Sequence, residues 1–263
     1  MKQRTITAIL ALVVFLPFVI IGEIPFTILV YIMATIGFTE LVRMRKINNY
    51  YIPLLLGVLL LWLILIPEKS GLLSSMMYSK VEIFMLFVML LLAYTVLVKN
   101  KFTFDDAGFI LLAAVYVAVG FYYLIETRNA MDGLWNVFFA FFIIWATDTG
   151  AYLFGKFFGK RKLWPDISPN KTIEGALGGV FLAAVVALIF HLIHPFPYTV
   201  WTVLIVTIFT SLVGQIGDLV ESAFKRHYRV KDSGNLLPGH GGILDRFDSM
   251  LFVLPFLHFI HFL

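Results

Sequence analysis

Nine long apolar runs, separated by shorter polar segments, dominate the pattern of hydrophobic and polar positions along the chain. Each run is close to the length that a helix needs to cross a bilayer, and none alternates as the strands of a membrane β-barrel do. Backbone amides in hydrocarbon must find partners within their own segment, which favours helices. The pattern therefore predicts nine transmembrane helices, at about residues 5–22, 24–42, 50–67, 81–98, 107–125, 133–155, 173–194, 198–223 and 243–262.

Composition supports a membrane protein. Hydrophobic residues make up 60% of the 263 residues and charged residues only 14%, whereas a soluble domain carries about a quarter charged residues. We therefore predict an all-α, polytopic integral membrane protein. The first run follows Lys2 and Arg4, as in a signal peptide, but no small-residue cleavage site closes it, so we expect an uncleaved first span. The lack of cysteine excludes disulfides and thiolate metal sites.

The basic residues predict the orientation of these spans. The formal net charge is +4, and nine spans with a cytoplasmic N-terminus place 17 of the 20 Lys and Arg residues on the cytoplasmic side. This asymmetry favours an N-in, C-out topology. Basic residues beside apolar spans indicate topology and contacts with lipid head groups, and we expect no nucleic-acid partner.

Polar residues concentrate in the second half of the chain. The spans before about residue 125 carry almost no intramembrane charge, whereas two polar loops, 155–172 and 225–242, follow the sixth and eighth spans. No internal repeat is apparent. We predict a single membrane domain, 1–263, in which residues 1–130 form the N-terminal and central helices, and residues 131–263 hold the catalytic helices with the two cytoplasmic loops.

The end of the eighth span, "GQIGDLVESAFKR", places four polar side chains on one helical face. They are Asp218, Glu221, Ser222 and Lys225. Ionisable groups within spans are candidates for function. A salt-bridged helix terminus is the structural alternative for this group.

The ninth span opens with "GHGGILDRFDSM", which places Asp245 and Asp248 in its first turns. Acidic residues there also favour the helix dipole, which is a purely structural explanation. A glycine-rich turn that opens a helix is, however, a ready phosphate site, and carboxylate oxygens suit magnesium, which bridges carboxylates and substrate phosphates. Together, the two helix ends and the basic loop between them favour a membrane enzyme that handles phosphorylated substrates.

The sixth span and the loop after it add a second group of candidates. Asp148 lies inside an otherwise apolar span, where it is either part of the site or a buried group that holds helices together. In "SPNKTIEGALGG", Lys171 is a candidate phosphate contact and Thr172 a candidate N-cap. The glycines at 175, 178 and 179 predict close helix packing.

The stretch "SAFKRHYRVKDSGNLLPGHGGILDRFD", Ser222 to Asp248, resembles the signature of the phosphatidate cytidylyltransferases, or CDP-diacylglycerol synthases. The resemblance extends to Asp148, "SPNKT" and "GQIGDLVES" and so covers the C-terminal half. The fixed positions of the signature are all met, by Ser222, Lys225, Arg226, Lys231, Asp232, Gly234, Pro238, His240, Gly241, Gly242, Asp245, Arg246 and Asp248.

The resemblance implies transfer of CMP from CTP to phosphatidic acid, which gives CDP-diacylglycerol and pyrophosphate. It implies Mg²⁺, as two ions or a mixed Mg²⁺/K⁺ site, with Asp218 and Asp245 as the principal metal ligands. It also implies a homodimer in the cell inner membrane, with an active site that faces the cytoplasm.

The remaining candidates follow from this interpretation. Asp148, Asp248 and Glu221 are expected to support the metal, and the turn from His240 through Gly241 to Gly242 to bind pyrophosphate. The residues expected to bind substrate phosphates are Lys171, Ser222, Lys225, Arg226, Lys231 and Arg246. A related CTP-dependent nucleotidyltransferase with another lipid acceptor is the main alternative. A cation-coupled transporter is less consistent with charges at helix ends.

Overall fold

The structure is a computed structural model that describes residues 2–47, 49–67, 79–236, 238–239 and 241–263. The described chain forms ten helices and one two-stranded hairpin. In chain order these are α1 (Lys2–Ile21), α2 (Glu23–Arg45), α3 (Tyr51–Ile64), α4 (Lys80–Leu97), α5 (Phe104–Asn129), α6 (Gly133–Phe158), β1 (Lys162–Trp164), β2 (Ser168–Thr172), α7 (Ile173–Ile193), α8 (Val200–His227), α9 (Leu244–Phe247) and α10 (Met250–Phe259).

These helices confirm the predicted fold class. Helices α2 and α4 to α8 are long and apolar enough to cross a membrane, and shorter apolar helices lie at Leu10–Ile21, Tyr51–Ile64 and Met250–Phe259. Each predicted run therefore contains an apolar helix. The protein is an all-α, multi-pass membrane protein.

The ninth predicted span differs from the expectation of one continuous helix. It is divided into α9 and α10 at Asp248 and Ser249. The Asp248 carboxylate accepts the backbone N–H of Ser249 at 2.7 Å, and such local side-chain bonds compete with the helical pattern. The break sets Asp245 on a short helical turn of its own.

The hairpin was not predicted. Strands β1 and β2 are antiparallel, with Lys162 opposite Thr172. Glu174, in the first turn of α7, accepts the backbone N–H groups of Lys160 at 3.0 Å and Arg161 at 3.2 Å. The hairpin is thereby joined to the start of the next helix, because a single carboxylate satisfies two backbone donors before β1.

The chain divides into two compact units, which we describe separately; the prediction of a single domain stays a prediction. The first unit comprises Met1–Glu126 and Asp232–Leu244. Its core contains fully buried aromatic and aliphatic side chains from α2, α3 and α5, among them Phe26, Phe38, Leu60 and Phe121. Arg45 of α2 forms a 2.7 Å ion pair with Asp106 of α5.

The second unit comprises Thr127–Lys231 and Asp245–Leu263, and α6 and α7 pack closely within it. The side chain of Thr172 caps α7 by accepting the N–H of Gly175 at 3.1 Å, as predicted. A Cβ on Gly179 would lie 2.7 Å from the carbonyl oxygen of Thr147. The predicted role of the α7 glycines is thus confirmed, since a side chain there would separate the two helices.

Candidate active site

A cavity of about 270 Å³ lies within the second unit, between α6, the hairpin, α7 and α8. Its polar wall is formed by Asp148, Asn170, Lys171, Thr172, Gln215 and Asp218. Asp148 is exposed to the cavity, and Asp218 is half-buried. Ligand pockets typically measure roughly 300–1,000 Å³, so this cavity suits the polar part of a ligand better than a whole nucleotide together with a lipid.

Asp218 and Lys171 meet in the wall of this cavity. The Lys171 Nζ lies 2.7 Å from the Asp218 carboxylate, and about a quarter to a third of each side chain is exposed. The Ser222 hydroxyl donates to the same carboxylate at 3.3 Å. The predicted face of α8 therefore exists, but Asp218 pairs with a lysine before α7 and not with Lys225.

Lys225 instead lies between two buried carboxylates. Its Nζ is 2.7 Å from Asp245 and also pairs with Glu221. The side chains of Glu221 and Asp245 are 1% and 5% exposed. We call these three residues the Lys225 triad. The triad joins the end of α8 to α9, and its burial makes it more suited to fixing these elements than to binding substrate directly.

Negative charge predominates around the cavity. Asp148 and Asp218 are close enough to repel each other, and Asp248 interacts electrostatically with both. Lys171 and Arg246 partly neutralise Asp148. Lys225 also acts on Asp248 but is itself paired with Glu221 and Asp245, which leaves three acidic side chains for Lys171 and Arg246 at the cavity.

The oxygen donors of this group fit Mg²⁺ in chemical type. Among the described residues, no three Asp, Glu or His side chains converge closely enough to hold a metal ion by themselves. Mg²⁺ usually takes only one or two carboxylates and completes its shell with substrate phosphates and water. Asp148 and Asp218 are the pair that faces the cavity, whereas Asp245 is engaged with Lys225.

The other predicted site residues occupy different places. Arg226 is exposed, and its Nε donates to the carbonyl of Ile167 in the hairpin turn at 3.2 Å. Lys231 is exposed to solvent. Gly241 and Gly242 belong to the first unit, and His240 lies outside the described residues.

Sequence analysis missed Gln215 in the polar part of the cavity wall. Gln215 lies three positions before Asp218 on the same face of α8, and its amide donates to the carbonyl of Ala176 at 3.3 Å. It lines the cavity although it is largely buried. An amide inside an apolar span, in register with a candidate carboxylate, was the available signal.

Comparison with known proteins agrees with this chemistry. A family model described as "Cytidylyltransferase family" matches residues 2–263. The chain is 56% identical over 261 residues to a phosphatidate cytidylyltransferase of Bacillus subtilis (strain 168), covering 99% of this chain and 97% of the relative. Proteins of the same name from Staphylococcus saprophyticus and Staphylococcus aureus (strain COL) are 49% and 50% identical over 260 residues, with 99% of this chain and 98% of each relative covered. The chain therefore belongs to the cytidylyltransferase family and is a nucleotidyltransferase.

Proposed function

We propose that this enzyme transfers CMP from CTP to phosphatidic acid and releases pyrophosphate. The observation that carries the proposal is the identity of 56% over nearly the whole chain to a phosphatidate cytidylyltransferase. The cavity supports it, because Lys171 can bind a phosphate directly, and Asp148 and Asp218 can bind one through a divalent cation, beside an apolar helix bundle that suits a lipid.

In the proposed reaction, a phosphate oxygen of phosphatidic acid attacks the α-phosphorus of CTP. A new P–O bond forms to the lipid phosphate, and the bond from the α-phosphorus to the bridging oxygen breaks. The electron pair of that bond leaves with pyrophosphate, and CDP-diacylglycerol remains. The lipid phosphate is already ionised near neutral pH, so positioning and charge neutralisation carry the catalysis rather than a strong general base.

The residues of the second unit divide these tasks. Lys171 and Arg246 neutralise phosphate charge at the cavity. The Lys225 triad holds α9 against α8. Because Arg246 follows Asp245 in α9, the triad also fixes the position of Arg246. Arg226 fixes the hairpin that forms one wall of the cavity. In the first unit, the glycine-rich turn that precedes α9 binds the pyrophosphate part of CTP.

Asp148 and Asp218 would hold Mg²⁺ together with substrate phosphates. When bound, the ion supplies positive charge that stabilises the oxygens of the reacting phosphates. The Lys171 ammonium group pairs with the Asp218 carboxylate in the wall of the cavity. Asp248 adds negative potential from the neighbouring turn.

We further propose that the enzyme acts as a homodimer in the inner membrane, with the cavity open to the cytoplasm. The predicted N-in topology supports this orientation, because it places the loops of the site on the cytoplasmic side of the membrane, where CTP is present. The acyl chains of the lipid substrate can then remain in the bilayer while its phosphate enters the cavity.

The acceptor is tested with purified protein in mixed micelles that contain CTP and one lipid at a time. Phosphatidic acid should give CDP-diacylglycerol, and diacylglycerol and a prenyl phosphate should give no product. Removing Mg²⁺ with a chelator should abolish the reaction, and adding the ion back should restore it. Preference for the prenyl phosphate would contradict the proposed acceptor. Full activity in the presence of the chelator would contradict the proposed requirement for Mg²⁺.

A further inference from the structure

We propose that Glu40, in the second helix, is a positioning residue that fixes the glycine-rich loop of residues 233–244 for CTP binding. This inference rests on the proposed function. Glu40 lies in a helix that the sequence predicts only as an apolar span, and both Glu40 and the loop belong to the first unit.

Glu40 is a buried carboxylate near the C-terminal end of α2, and only 3% of the residue is exposed. One carboxylate oxygen accepts the backbone N–H of Ile243 at 2.9 Å. The other accepts the N–H of Leu244 at 3.0 Å and the hydroxyl of Ser233 at 3.0 Å. A single side chain thus binds both ends of the loop.

The glycines of the loop are fitted to this carboxylate. A Cβ on Gly234 would lie 2.6 Å from the nearer carboxylate oxygen, and a Cβ on Gly242 would also collide with it. Gly239 and Gly241 have φ angles of 79° and 82°, which favour glycine. The backbone therefore passes close to Glu40 at Gly234 and again at Gly242.

Burial makes these bonds specific for a carboxylate. A buried charge is costly unless strong hydrogen bonds compensate it, and bonds from N–H or O–H groups to an ionised oxygen are roughly twice as strong as neutral ones. An amide at the same place has only one acceptor oxygen, so its NH₂ group would face a backbone N–H. Glutamine in place of Glu40 should therefore lose the hydrogen bonds to one end of the loop, although its side chain has nearly the same volume.

The loop leads directly along the chain into Asp245 and Arg246. In the proposed reaction, its glycine turn binds the pyrophosphate part of CTP. Glu40 should accordingly influence the binding of CTP and pyrophosphate and leave the binding of the lipid acceptor unchanged. A residue that served stability alone would show no such selectivity.

The test compares Glu40→Gln with Asp106→Asn in the full-length protein. Asp106→Asn is the matched control. Asp106 belongs to the same unit and is the charged partner of Arg45, which lies on the same helix as Glu40. For Glu40→Gln we expect the KM for CTP and the inhibition constant of pyrophosphate to rise about tenfold, as for a lost charge-assisted bond. The KM for phosphatidic acid should stay at the wild-type value, and Asp106→Asn should change none of the three constants.

Hydrogen exchange gives a readout that needs no activity. The amides of Ile243 and Leu244 should exchange faster in Glu40→Gln than in wild type or Asp106→Asn, because their acceptor is weakened. Unchanged exchange at both amides, or equal effects on the KM of both substrates, would overturn the inference. If the wild-type protein makes no CDP-diacylglycerol, the proposed function fails, and the exchange comparison still decides whether Glu40 fixes the loop.

Discussion

Asp218→Asn should lower kcat/KM by about two to three powers of ten, the range seen when one group that stabilises transition-state charge is removed. Asparagine keeps the shape of the side chain and its capacity to accept from Ser222, but it lacks the charge that pairs with Lys171. The fold should tolerate the change, because the pair is partly exposed and contributes little to stability. Initial rates at varied CTP and phosphatidic acid, with a thermal melt in detergent, measure both effects.

Asp166→Asn is the control for this variant. Asp166 lies at the exposed turn of the hairpin and outside the cavity wall. Like Asp218→Asn, the variant Asp166→Asn removes one negative charge from the second unit. Because Asp166 lies outside the cavity, the variant should leave kcat/KM near the wild-type value. Similar rates for the two variants would exclude Asp218 from the site.

Lys225→Met should destabilise the protein by about 3–5 kcal/mol, the usual cost of leaving buried carboxylates without their cation. Glu221 and Asp245 are almost fully buried around this ammonium group. Removing it leaves both acidic side chains without their cation and releases α9 from α8. Activity should be lost as well, since Arg246 follows Asp245 directly.

Glu221→Gln is the comparison that isolates charge from packing. It removes the buried acid of Glu221 from the triad and preserves the pair between Lys225 and Asp245. Its thermal midpoint in detergent should therefore equal or exceed that of the wild type, while that of Lys225→Met falls steeply. Equal midpoints for the two variants would mean that the triad is not an electrostatic unit.

The transmembrane helices could be predicted because their cause is local. An unbroken apolar run has only a helix available in hydrocarbon, so residues such as 133–155 and 173–194 could be assigned from hydropathy alone. The break at Asp248 depends on a side chain that bonds its own backbone. The hairpin depends on Glu174, which binds backbone from another segment. Neither feature has a periodic signal.

The candidate site was predictable to the level of a helical face. The spacing of Asp218, Ser222 and Lys225 places them along one side of α8, but it does not determine which partner each receives. Lys171 reaches Asp218 because the hairpin and α7 pack against α8. Such pairings depend on tertiary packing, which spacing along one helix does not encode.

Glu40 is a contact of the first half of the chain that the hydropathy pattern did not indicate. Sequence analysis noted only that the spans before about residue 125 carry almost no intramembrane charge. The one buried carboxylate of α2 proves to bind the loop of the C-terminal signature. Its partners are mainly backbone N–H groups, which leave no trace in side-chain patterns.

The most direct test of the central claim follows the phosphorus atoms of CTP. Purified protein is incubated with phosphatidic acid, Mg²⁺ and CTP that is radiolabelled at either the α- or the γ-phosphorus, and the lipid is extracted. Cytidylyl transfer predicts that the α label enters the lipid, while the γ label appears as pyrophosphate in equal molar amount. Label from the γ position in the lipid, or no label from either position, would contradict it.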